Sequence, residues 1–386
     1  MPTLLVLAAL LLAQAAPQPQ TAKGVTASEA TAAIDRLSSL EFPIRMEAGR
    51  TIRRASAAAA VPLLTTAVSG HKDGYVRFRA LVLLSGFNAP GTRDVMTRML
   101  ADKNDRLRAV AYAFFEHNPD PAALPRLIAA LPKEESEFVR PALTRAIAAH
   151  GTQKAAQEAM TRLVVSGQGF FRSAAIEAVG DYKGAYALAT LTEVAKLEGP
   201  LQDDAVLALG KIGDKRAIET FAALQRSAPR SVQPAIAAAI CLIGVNCSSH
   251  LGYLAESLKF GIAQVGFQEL LRGAASGLAA LGVAGNEEAV RTLVEHGGPS
   301  RDPARATIAL AIGTVALRNT PMILKVLERE ADPAHALELL REAFDMLEED
   351  FVEERFFVTV RRAFWQAAPG SPARTIADAL IQKLEF

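Results

Sequence analysis

Four apolar–arginine pairs, Val76-Arg77, Leu107-Arg108, Val139-Arg140 and Phe171-Arg172, recur at intervals of 31, 32 and 32 residues. Each opens an apolar stretch with helical spacing, and each is followed about ten residues later by turn-forming residues. Those turns include Gly86 with Asn88-Ala89-Pro90, then Asn118-Pro119-Asp120, His150-Gly151 and Gly180-Asp181. A second apolar stretch follows each turn. A period of this length constrains the fold strongly, because one helix pair cannot bury its apolar face alone and must stack on its neighbours. The fifth unit is the clearest, running from Gln202 through Gly210-Lys211-Ile212-Gly213-Asp214 to Arg216-Ala217-Ile218. Val206, Leu209 and Ile212 share one helical face, as do Ile218, Phe221 and Leu224 in the partner helix. Gly213 can adopt the left-handed conformation that ends a helix, and Asp214 can cap the next. Gly210 lets two helices approach closely.

Composition agrees. At 386 residues the chain is too long for one ordinary core. Half of it is apolar and only 6% aromatic, with no alternating β-branched runs, so an all-α chain is expected. The turn reappears at Leu281-Gly282-Val283-Ala284-Gly285-Asn286 and again at Ile312-Gly313. Both ends depart from the pattern. Residues 28–40 read as a short helix capped by Ser28, and 45–69 as an incomplete pair. Residues 333–350, 351–368 and 372–384 read as three helices without repeat turns. Phe351, Phe356, Phe357, Phe364 and Trp365 gather there, as a cap over the last repeat or, alternatively, a docking site for a partner.

The run of Asp, then Val-Arg, then an Ala-rich helix ending Leu-Gly-x-Ile-Gly-Asp resembles the short HEAT-like repeats also found in phycobilisome lyases. It is most specific in unit five and partial in units at 73–103, 105–133 and 137–166, and it covers about residues 45–330. The resemblance implies a right-handed α-solenoid, a superhelix of stacked two-helix HEAT-like repeats with second helices lining its concave face. It also implies binding of proteins or peptides. The Arg at the head of units one to four is expected to pair with an acidic residue of the neighbouring unit, a ladder that changes sign or stops at Asp204. The organisation expected is a signal peptide at 1–15, a disordered linker at 16–27, the solenoid at 28–332 and a helical cap at 333–386.

The export expectation rests on residues 4–13, LLVLAALLLA, followed by Ala13-Gln14-Ala15 as a small-x-small cleavage site, although no Lys or Arg precedes the run. Ten helical residues span only about 15 Å, too short for a retained anchor. A periplasmic or secreted chain is therefore expected, with no membrane insertion of the mature protein. The uncharged stretch between Arg230 and Glu256 holds twelve continuously apolar residues, Pro234 to Val245, which suit a buried helix. Cys241 and Cys247 are the only cysteines. On a continuous helix their Cα atoms would lie about 9 Å apart, too far to bridge. The intervening Gly244-Val245-Asn246 turn brings them within reach of a disulfide in an oxidising compartment, the alternative being two small buried thiols.

No catalytic constellation, cofactor motif or metal-ligand spacing stands out. The six histidines, at 71, 117, 150, 250, 296 and 335, read as exposed turn residues. Glu348-Glu349-Asp350 with Glu353-Glu354 reads as a solvated helix junction. A net charge of +1 disfavours nucleic acid. Residues 16–172 nevertheless carry 21 Lys and Arg against 14 Asp and Glu, and residues 173–386 carry 21 against 27. If second helices line the concave face, Arg93, Arg98, Arg126, Lys154 and Arg162 make its first half basic and suited to an acidic protein segment. The leading expectation is a non-enzymatic protein-binding scaffold. A self-assembling envelope component using the two charged ends is the alternative. A chromophore-lyase-like enzyme, implied by the resemblance alone, is disfavoured by the export signal.

Overall fold

A computed structural model describes residues 24–347 and 349–386. The signal-peptide expectation lies outside the described residues, as does most of the expected linker. Among the described residues there are twenty-two α-helices and no strand. The first helix, Ala27–Arg36, starts two residues earlier than expected. Its N-cap is Thr26, which forms a full capping box with Glu29. Phe42–Arg54 and Ala57–Gly70 form the first pair.

From there the helices fall into two rows. The first row comprises Gly74–Phe87, Asp105–His117, Arg140–Ala148, Gly169–Asp181, Gln202–Ile212, Gln233–Leu242, Gln268–Val283, Ala304–Arg318 and Ala334–Met346. Between them run the second helices, Thr92–Met99, Leu124–Ala130, Lys154–Val165, Leu188–Lys196, Ile218–Ser227, Cys247–Ala263, Glu287–Gly297 and Thr320–Leu327. The core is continuous between the rows. First helices stack closely along the array. A Cβ added to Gly210 would lie 2.4 Å from the Cα of Ala239, and one added to Gly180 2.7 Å from the Cα of Ala208. Only a residue without a side chain permits such approach. Gly213 ends its helix at φ +80°, as expected for its turn. Residues Pro234 to Cys241 are all buried, in line with the reading of that apolar stretch.

The head residue of five first helices reaches back to the end of the preceding second helix. Arg77 donates to the carbonyl of Val68 (2.8 Å), Arg172 to Val164 (3.0 Å) and Arg305 to Gly298 (2.8 Å). Gln202 donates to Ala195 and Gln233 to Ala228, both at 3.0 Å. These donors satisfy carbonyls that a helix C-terminus leaves without partners. The ladder is thus mainly side chain to backbone. Arg77 also pairs with Asp102 and Arg108 with Glu134, but Arg140 instead lies over the Phe171 ring. In unit five Gln202 takes over the capping role, while Asp204 accepts from Ser173 Oγ at 2.5 Å.

The array does not end in a simple cap. Ala334–Met346 stacks on Ala304–Arg318 as another first-row helix. The chain then turns inward. Asp350–Gln366 packs against Gly74–Phe87, Asp105–His117 and Ala304–Arg318, with Pro372–Leu384 packed on it. One helix therefore touches both the beginning and the end of the first row. This is possible only if the first helices, not the second, line the concave side, which corrects the expectation drawn from the repeat.

Candidate functional site

The inward ends of the first helices carry charged residues that meet across the concave face. Arg145 donates to Glu116 (2.8 Å) and to Asp181 (2.8 Å), and Lys211 donates to the other oxygen of Asp181 (2.6 Å). Tyr182 donates its phenol to Glu116 at 2.8 Å. Arg318, from much later in the chain, lies 3.7 Å from the same carboxylate and donates to Glu349 at 2.9 Å. Burial opposes the charge on Glu116, yet Arg145 and Arg318 outweigh it and hold the carboxyl below its ordinary range. Asp181 is likewise opposed by burial and brought down to about 2 by Lys211 and Arg145. Burial pushes the Tyr182 phenol up, so it remains a donor. The cluster is a set of matched pairs, not a poised acid and base.

Beneath it lies the closing helix. Glu354 is only 1% exposed and accepts from Arg53 Nε at 2.9 Å and Nη2 at 2.6 Å. Asp350 pairs with Arg79. Phe351 stacks on His117, with ring centroids 5.8 Å apart, and meets Phe114 edge-on. Over its described residues the acidic run is therefore no solvated junction, because Glu354 and Asp350 are drawn onto Arg53 and Arg79 and Glu349 onto Arg318. The histidine expectation fails at two positions. His117 lies under Phe351, where burial lowers its pKa to about 4. His150 is buried, with its ring nitrogens at the Ala146 carbonyl and the Asp120 backbone. Sequence periodicity missed the Glu116–Arg145–Arg318 set because nothing local links residues 116 and 318.

The five basic candidates do not join this cluster. Arg93, Arg98, Arg126, Lys154 and Arg162 are exposed on second helices, on the convex side. Arg93 is held by Asp120 at 3.2 Å and lies over the Phe114 ring. Lys154 and Arg162 share a shallow outer groove of about 470 Å³ with Val165 and Tyr186. Cys241 and Cys247 are brought together across the turn, with Cα atoms 4.2 Å apart.

The two rims of the solenoid differ in character. Where second helices return to first helices, Leu40, Phe42, Phe138, Val165, Leu197 and Val265 are each more than half exposed. Phe170 and Tyr75 add to them. The opposite rim carries the polar turns, with Val245 and Met346 as its exposed large apolar residues among those described. Among the described residues no group of three or more potential metal ligands comes together. No single helix there is long and apolar enough to cross a membrane.

Stacked helix pairs, a two-row core and a charged concave face define the chain as a curved α-solenoid. Residues 30–115 match the family model for HEAT repeats. No curated protein matches the chain. Among solved structures, Escherichia coli YibA is similar at 19% identity and a TM-score of 0.41, over 56% of this chain and 82% of that one. Human deoxyhypusine hydroxylase in complex with glycerol is similar at 17% identity and a TM-score of 0.30, over 66% and 95% respectively.

Proposed function

We propose that the chain is a non-enzymatic protein-binding scaffold, exported from the cytoplasm, whose partner docks on the outer surface of units three to five. One observation carries this reading. Phe138, Val165, Phe170 and Leu197 sit exposed on three successive connections of one rim, beside the groove that holds Lys154 and Arg162. A soluble surface has no use for large apolar tips repeated along one edge, and such patches mark contact sites. The neighbouring cations suit a partner segment with aromatic and acidic side chains, with charge steering the encounter. Export is supported by the apolar run at 4–13 and its small-x-small site. The closeness of Cys241 to Cys247 fits the oxidising compartment that export implies.

The test is affinity capture from an envelope fraction with the full chain and with a triple variant, Phe138→Ser, Phe170→Ser and Leu197→Ser. The wild type should retain a stoichiometric protein that the variant loses, with unchanged helical content. Equal capture by both would remove the reading. Periplasmic material should begin after Ala15; material retaining residues 1–15 would refute export. Self-assembly through the basic and acidic halves is less favoured, because Arg53 and Arg79 of the basic half already pair with Glu354 and Asp350 of the acidic half inside one molecule.

A further inference from the structure

A stack of repeats is held by contacts between neighbours and does not require its ends to be joined. Here they are joined by the last segment of the chain, 350–384, so the joint is an addition to the array. It is also unusually polar. Arg53, Arg79 and Arg318 come from three different helices, and each receives a carboxylate from the segment 349–354. Arg53 and Glu354 are 5% and 1% exposed at their side chains. Buried ion pairs contribute modestly to net stability and more to the choice of partner and register. Between the charges, Phe351 enters against Phe114 and His117, and Phe356 packs on Phe344. Gly86 leaves the room that Glu354 occupies, since a Cβ there would lie 2.7 Å from Glu354 Oε1.

The resident helix is an imperfect fit. Glu353 faces Arg79 but sits beside Asp350 and Glu349, and burial together with those carboxylates pushes it up to about 8. A carboxyl held against like charges does not strengthen the joint.

We propose that the concave face of the first two units is a recognition groove for an acidic amphipathic helix with aromatic anchors, that residues 350–366 fill it in the free protein, and that a partner's helix of the same chemistry displaces them. The occupant is defined by charge complementarity. It needs acidic residues four apart to meet Arg79 and Arg53, and an aromatic residue next to the first of them to reach Phe114. This surface is separate from the outer rim and stands or falls independently of it.

The probe is a fluorescent synthetic peptide with the sequence of residues 349–386, titrated against the full-length wild type and the full-length Glu354→Arg variant. That substitution sets a cation against Arg53 and should free the resident segment. The variant should bind the peptide, while the wild type binds it about a hundredfold more weakly, because its tethered copy competes at an effective concentration on the order of millimolar. A peptide that itself carries Glu354→Arg should bind neither chain. A folded variant that ignores the peptide, or takes both peptides equally, overturns the proposal. So does a wild-type dimer that the peptide dissociates, since the groove would then belong to a second copy. Should the variant fail to fold, amide exchange on the wild type decides. Residues 350–384 must open as a unit ahead of 74–346, and a single common opening refutes displacement.

Discussion

Units four to six and the closing joint hold the molecule together in opposite ways. In the first case helices meet backbone to backbone, with Gly180 against Ala208 and Gly210 against Ala239. In the second they meet through long side chains, Arg53 with Glu354 and Arg79 with Asp350. The first junction cannot loosen by degrees, because removing a close-packed contact displaces a whole helix. The second can open while both partners stay folded. The difference separates what makes the array from what shapes it.

The sharpest way to break the comparison is Gly210→Val. Its Cβ would fall on the backbone of Ala239, so a loss of about 3 kcal/mol is expected, read as a lower melting temperature of the whole array. Glu354→Gln should cost about 2 kcal/mol by weakening a charge-assisted pair with a buried arginine. That loss should appear as faster exchange at 350–384 with the array's melt little changed. An equal effect on every helix would erase the distinction.

The joint should also respond to pH. Glu353 has a folded pKa of about 8, above its ordinary value near 4.5, so the folded state holds the proton more tightly than the unfolded. Its contribution is present at low pH and is lost as pH rises from about 4.5 through 8. His117 acts with the opposite sign. Its folded pKa is depressed to about 4, so its contribution is present above its ordinary value of 6.5 and is lost as pH falls through 4. Between pH 6.5 and 8.5 only the Glu353 effect operates between these two. Exchange at 350–384 should quicken across that window, and Glu353→Gln should flatten the response.

Smaller effects lie outside both junctions. Replacing Cys241 and Cys247 together by Ala should cost at most about 2 kcal/mol, as expected for a bridge closing so short a loop. The untreated chain should resist thiol labelling until it is reduced. Arg93→Ala breaks an exposed pair with Asp120 and should cost no more than about 0.5 kcal/mol in urea unfolding.

The array was legible because its signals are local. Gly210 and Gly213 stand at fixed places in a repeated turn, and their spacing alone announces close packing and a helix stop. Thr26 and Ser28 stand two residues apart and both have cap-forming side chains, so the sequence alone does not fix where the first helix starts. Which row faces inward was not legible. Both rows carry an apolar stripe, and the curvature is decided by which row packs tighter. The joint was invisible for a different reason. Arg53 and Glu354 are separated by 301 positions, and a single charge at each end carries no pattern. Phe138 and Val265, on the rim, are likewise indistinguishable in sequence from residues of the core.

The closing helix also changes what kind of object the solenoid is mechanically. An open stack of helix pairs is a spring, since small rotations at each interface add up to a large change in curvature. Residues 350–366 span the inside of that curve like a strut between the first and last coils. Bending the body outward must first pull Glu354 and Asp350 from Arg53 and Arg79, so compliance is switched on when that joint opens. A force applied between the two ends should therefore meet a stiff response, one discrete yield, and then the soft extension of a free coil.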